Sequence, residues 1–374
     1  MLTRESSLRF TLLSFPLIVG VVFGHAGAAS VVMSDSGLSI SHPSFFSELV
    51  TTLISHVCAC LTIPIFFLIS GFLFFSDSEW SKEKYLKKLR SRANSLLVPF
   101  LFWNLATLAF IATAQAIPAA KVYFSGKSAF IASYGLWDYL NAIIGINRFP
   151  ISFQFWFMRD LMALVLLSPI IAFMIKKAWP PYLAILSVCW FFRLDPVYFP
   201  TTEGLLFFSV GGWLSSNGKS LFIFDRYGLL ASVFYVPVAI IDALTYQKQL
   251  NILPHRVGIL LGVLACLFAT KYIAKSERLK SALVWLSGVS FWVYAVHEPL
   301  LTISIRLIYK AIHPNSSSLD LFFYFLVPVC VILFSIALQL MMSSVAPKLT
   351  KIVTGGRLAP HKQKPQREAY APPI

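Results

Sequence analysis

The sequence predicts an all-α, polytopic membrane protein of about ten transmembrane helices, with the N- and C-termini both cytoplasmic. Two observations predict it. Hydrophobic residues make up 57% of the 374-residue chain and charged residues only 13%, and the mean hydropathy is +0.73. A soluble domain carries about 25% charged residues, and apolar surface on this scale needs lipid as its solvent. The second observation is where the charge lies. The formal net charge of +15 is gathered into short segments between apolar runs. That pattern orients a membrane protein and argues against a nucleic-acid binder.

A spanning helix needs about 20 apolar residues. Apolar runs at roughly 8–28, 49–75, 93–117, 153–175, 181–192, 204–214, 227–244, 257–273, 283–308 and 321–345 supply ten candidates, the fifth and sixth being short. The first run is longer than the ~7–15 residues of a signal-peptide core, so it is expected to stay as a helix. With ten crossings, 22 of the 31 Lys and Arg residues fall on one side and eight on the other, Arg159 lying inside a span. The basic stretch from Lys82 to Arg92 is the densest part of the cytoplasmic side. The longest segment on the opposite side, 118–150, holds Tyr134, Trp137 and Tyr139, aromatic residues suited to the lipid–water interface. One membrane domain, 1–350, is expected. The segment 351–374, rich in Pro, Gln, Lys and Arg, is expected to be a basic, disordered cytoplasmic tail. No internal repeat of the kind that builds many transporters is visible.

The five cysteines lie within apolar runs at no motif spacing, which points to packing and not to a disulfide framework or a metal site. No metal ligand set is therefore predicted. Phosphate-loop, dinucleotide and HExxH patterns are absent from the sequence.

Ionisable groups within spans are costly and are functional candidates for that reason. They are His25, His56, Arg159, Asp160, Asp242, His297 and Glu298. His25 has the proton affinity of a general base. Arg159 and Asp160 are adjacent, so on a helix they diverge by about 100° and are each expected to find a partner on another helix. His297 and Glu298 precede Pro299, which removes a backbone donor and loosens the helix there. Ser70 and Gly71, set among phenylalanines, let a backbone or a ligand approach closely. His56 and Asp242 are read as structural. These residues describe a polar, histidine-containing cavity, as fits either a membrane enzyme or a transporter of a polar or lipid-linked substrate.

Six segments stand out in order along the chain: FPLIVGVVFGH ending at His25, IPIFFLISGFLFF (63–75), LKKLRSRANSLLVPFLFWN (86–104), QFWFMRDLMALVLLSPII (154–171), EGLLFFSVGGWLS (203–215) and LSGVSFWVYAVHEPLL (286–301). Taken together, they resemble the acyltransferase 3 family of bacterial membrane acyltransferases. The resemblance implies a ten-helix domain of the bacterial inner membrane that moves an acyl group, usually acetyl, from cytoplasmic acyl-CoA to an acceptor. No cofactor is expected to be held permanently; acetyl-CoA is a substrate. The implied acceptor is a sugar hydroxyl of an exopolysaccharide or surface glycan, or its lipid-linked precursor. His25 corresponds to the leading catalytic residue of the family, with Glu298 or Asp160 to orient an imidazole and Arg159 to steady an oxyanion. Arg90 and Arg92 would lie near the CoA phosphates, and Ser70, Gly71 and His297 would line the substrate path. One position departs from the family: an arginine is common eleven residues before the histidine, and here that residue is Ser14. Arg9 precedes His25 by a further turn and more, about 24 Å of helix rise, which is too far to stand in for it.

Overall fold

The computed structural model describes residues 3–35, 43–76, 81–117 and 130–357, and of residues 28–35 only the backbone. Among the described residues all regular structure is helical. The chain runs through α1 (Arg4–Asp35), α2 (Phe45–Thr52), α3 (Thr62–Phe74), α4 (Lys82–Arg92), α5 (Val98–Ala116) and the short α6 (Leu136–Ile144). It continues through α7 (Trp156–Lys177), α8 (Trp179–Phe191), α9 (Thr202–Ser216), α10 (Gly228–Thr245), α11 (Ile252–Ile273), α12 (Glu277–Ile312), α13 (Ser317–Val345) and α14 (Pro347–Val353). Ser44, Ser81, Thr201, Ser276 and Ser316 each cap a helix, accepting a backbone N–H of the first turn through a side-chain oxygen.

Eight continuous helical stretches, of 24 to 36 residues, are long and apolar enough to cross a membrane. Two of them contain a π turn. A π-helical turn (Leu53–Cys58) joins α2 to α3 through a short 3₁₀ turn, and another (Ala93–Leu97) joins α4 to α5. A π turn pairs each carbonyl one residue further on than an α turn does, and such turns are common at functional sites. The fifth and sixth expected spans form α8 and α9, helices of 13 and 15 residues. At 1.5 Å per residue they reach about 20 and 22 Å, less than the ~30 Å hydrocarbon thickness. Large apolar side chains on the bundle's outer face, such as Leu229 and Val233 of α10 and Leu333 and Phe334 of α13, are exposed, as contact with lipid requires.

Three pairings organise the bundle: α3 on α9, α1 on α12 and α10 on α11. The first is close because of glycine. A Cβ on Gly71 would collide with the Phe208 backbone, and a Cβ on Gly211 would collide with the Leu68 carbonyl. Gly71 therefore serves helix packing and does not line a substrate path, a correction to its expected role.

The tail begins later than expected. Lys351, Ile352 and Val353 complete α14, Thr354 is fully buried, and the Trp103 indole N–H donates to the Val353 carbonyl. Residues 351–357 are thus packed against α5 and the π turn before it; 358–374 lie outside the described residues.

Candidate active site

Two elements bring the central pair together. α1 carries His25 towards its C-terminal end, and α12 carries His297 at the point where that helix breaks. The break is at Glu298, whose backbone is extended (φ −111°, ψ 137°). Pro299 cannot donate to Ala295, so that carbonyl is left for another partner. The Gln154 side-chain amide supplies it, donating to Ala295 O at 3.3 Å and to Glu298 O at 3.1 Å, and Tyr294 donates its hydroxyl to Gln154 O at 2.7 Å. The broken helix is held in one geometry from outside.

That geometry fixes the histidines. His297 Nδ1 lies 2.7 Å from Tyr294 O and 3.2 Å from Val293 O. Carbonyls only accept, so Nδ1 carries the proton. In the neutral ring, Nε2 then holds the lone pair and accepts the Nδ1–H of His25 at 2.8 Å. The Nε2 of His25 is left with its lone pair outward. His25 packs on Phe153 with ring centroids 4.9 Å apart and remains partly exposed, whereas His297 is fully buried.

Below the pair lies a cavity of about 140 Å³, bounded by α1, α3, α7 and α12. Its α1 wall runs from Phe10 to Val21, one helical turn short of His25, and Tyr294, one turn short of His297, helps line the α12 wall. Most of the lining is apolar. Hydroxyls come from Thr11, Ser14, Ser70, Ser287, Ser290 and Tyr294, and the only charged side chain is Arg357. Arg357 is placed by the turn after α14: its guanidinium donates to the carbonyls of Ser95 and Thr354 and stacks on Phe291 at 4.6 Å. Ser95 sits in the second π turn. Burial, and then the nearby positive charge of Arg92, hold the Arg357 guanidinium down to about 10. Ser14, where the family arginine was expected, faces the same cavity as Arg357. Arg9 is committed elsewhere, to both carboxylate oxygens of Asp225 (2.7 and 3.0 Å), to Thr270 and to Leu267 O.

The structure thus gathers His25 and His297, with Ser70 in the adjoining cavity. Arg92 lies near Arg357, while Arg90 is exposed on α4. It separates the two acids from the imidazoles. Glu298 points along its own helix, accepting from Thr302 at 2.9 Å. Asp160 accepts from Arg159 at 3.0 and 3.2 Å and from the Thr201 backbone at 2.8 Å. The adjacent pair therefore does meet, against the helical-angle expectation, because the long arginine side chain folds back over the first turn of α7. The remaining Arg159 nitrogen donates to Gly145 O at 2.6 Å and Arg148 O at 3.3 Å, and its guanidinium lies over the rings of Tyr198 and Phe199. Arg159 and Asp160 tie two loops to α7. Neither acid touches His25 or His297 among the described contacts, and Arg159 spends its donors on this knot. Gln154 and Arg357 escaped the sequence reading. The first lay two residues before the WFMRDL segment and its more conspicuous charges; the second lay in a segment whose composition reads as disorder.

A family profile described as an acyltransferase domain matches residues 15–339. The succinoglycan biosynthesis protein ExoH of Rhizobium meliloti (strain 1021) is 25% identical over 324 residues, which is 83% of this chain and 84% of that protein. No solved structure matches.

Proposed function

The chain belongs to the acyltransferase 3 family, and from that premise we propose that it is an inner-membrane O-acetyltransferase of exopolysaccharide synthesis. The donor is acetyl-CoA from the cytoplasm, and the acceptor is a sugar hydroxyl of the polysaccharide or of its lipid-linked precursor. The chain crosses the membrane ten times, α8 and α9 included, with both termini cytoplasmic; the 22-to-8 division of basic residues supports that topology. The relative's part in succinoglycan biosynthesis supports the class of acceptor.

The observation that carries the reading is the His25–His297 hydrogen bond above the cavity. An acceptor hydroxyl meeting His25 Nε2 gives up its proton to that lone pair as its oxygen attacks the thioester carbonyl. The C–S bond then breaks, and the thiolate leaves with the proton held by the imidazolium. His297 keeps the His25 Nδ1–H engaged throughout, so the charge that appears on His25 is met by an acceptor already aligned. This is the orienting role expected of Glu298 or Asp160, filled by a second imidazole. The anionic head of the donor rests near Arg357 and Arg92, where guanidinium groups suit phosphate. Its extended arm follows the apolar cavity along α1 towards His25, about 15 Å from Thr11 to Val21 at 1.5 Å per residue.

Purified protein in lipid, given labelled acetyl-CoA and membranes that hold lipid-linked glycan, should transfer label to the glycan, and His25→Ala should not. Transfer undiminished in His25→Ala would overturn the assignment of the base. Neither transfer nor acetyl-CoA binding in the parent would overturn the function.

A further inference from the structure

A second histidine cluster lies away from this site, where the C-terminal end of α10 and the N-terminal end of α11 meet the first π turn. We propose that His56, Asp242 and His255 form a binding site for a divalent transition-metal ion of the zinc type.

One ligand atom from each of the three residues lies within 4.8 Å of the other two. Two imidazoles and one carboxylate match the three-ligand sets that hold zinc with a fourth position open. Asp242 and His255 are buried, at 1% and 7% exposure. His56 Nε2 is also buried, with no hydrogen-bond partner among the described residues. A buried polar nitrogen without a partner costs about 1–3 kcal/mol, so a ligand for it is the missing element of the site. The other two members are already oriented. Asn251 donates to Asp242 Oδ1 at 2.7 Å, leaving Oδ2 to His255 Nδ1 at 3.0 Å. Outer-shell bonds of this kind aim first-shell ligands in metal sites.

The ion takes the place of the proton between His255 and Asp242, and the His255 proton moves to its other nitrogen or to water. Ligand atoms about 2.0–2.2 Å from an ion stand about 3.4 Å apart in a tetrahedron. The cluster contracts to reach that spacing, and His56, whose Nε2 has no hydrogen-bond partner among the described residues, is the member that shifts. Its ring is held by stacking, 4.7 Å from His255 and 4.1 Å from Tyr246, and its position in a π turn spaces it from the regular ladder. Arg193 lies within electrostatic reach of His56. Its positive charge opposes a cation there, and the Asp242 carboxylate offsets it.

The test uses the full chain in lipid nanodiscs, stripped with a chelator and titrated with Zn²⁺, and with Co²⁺ read by its visible absorption. One equivalent should bind, with a Co²⁺ spectrum of four- or five-fold coordination. His56→Phe keeps the stacking ring without a nitrogen; it should weaken binding about a hundredfold or more and leave the melting temperature in chelator unchanged. No stoichiometric binding would sink the proposal, as would binding within threefold of the parent in His56→Phe. Binding lost in His25→Ala but kept in His56→Phe would place the ion at the other pair and equally overturn it.

Discussion

The molecule holds two stacked histidine pairs, and they differ in what stands behind them. His25 and His297 have ring centroids 5.0 Å apart, and His56 and His255 4.7 Å. Behind His297 are two backbone carbonyls; behind His255 is a carboxylate. Carbonyls set a tautomer without adding charge, so the first pair presents one neutral lone pair beside a cavity. The carboxylate adds a full negative charge in a buried place, so the second pair attracts a cation. On the two proposals made above, proton transfer and metal holding are separated by the choice of group behind the second imidazole. The positions differ accordingly. The first pair bridges α1 and α12 at a helix break that opens a polar spot inside the bundle. The second gathers the ends of α10 and α11 and a π turn, and none of its three side chains lines the cavity below the first pair.

Substitutions can break that contrast, and the largest effect belongs to the first pair. His25→Ala should lower acyl transfer by about 10²–10⁴-fold, the usual share of a general base, without lowering the yield of folded protein. A loss under tenfold would move the base elsewhere. Asp160→Asn comes next. It leaves buried Arg159 without its counter-charge, which costs about 3–5 kcal/mol, and the loss should show as a lower melting temperature in lipid and not as a changed rate per folded molecule. An unaltered melting temperature with a lowered turnover would restore Asp160 to the chemistry. Gln154→Leu should destabilise by about 1–3 kcal/mol, since two buried carbonyls at the break lose their donor. It should also lower turnover, because the His297 ring hangs from the same segment; intact turnover would show that the break holds itself. Arg357→Ala is the smallest. It should raise KM for the donor roughly tenfold, the weight of one charge-assisted hydrogen bond, with kcat unchanged. A donor KM that stays put would remove the anion anchor from the mouth of the cavity.

Most of the frame was legible because membrane physics writes it in one dimension. Lipid demands long apolar runs, and the positions of Lys and Arg mark their ends, so eight spans were readable from composition alone. α8 and α9 were readable only as short runs, since each leans on a neighbour for what its length lacks. At the site, His25 and His297 were legible as ionisable groups inside spans. Their pairing was not: 272 residues separate them, and no periodicity links two helices so distant in the chain. His255 went unnoticed beside His56 and Asp242 for the same reason. The Arg159–Asp160 pair was misread because backbone angles describe where a side chain leaves the helix and not where a long one ends. Glu298 was misread because its acid character drew attention away from Thr302, one turn further on, which uses it. The final turn was misread because composition reports charge and proline content, while the order of residues 351–357 comes from Thr354 and Val353 sealing against α5.

The turn after α14 has a consequence for how the protein is made. The histidine of the first helix is made early in synthesis, but the guanidinium that shares a cavity with Ser14 comes only with residue 357, after the eight membrane-length helices among the described residues. A chain stopped short of residue 357 would carry His25 and the apolar cavity without the guanidinium that lines it. On the proposed reading, such a product would take an anionic donor about tenfold more weakly, the same loss expected of Arg357→Ala.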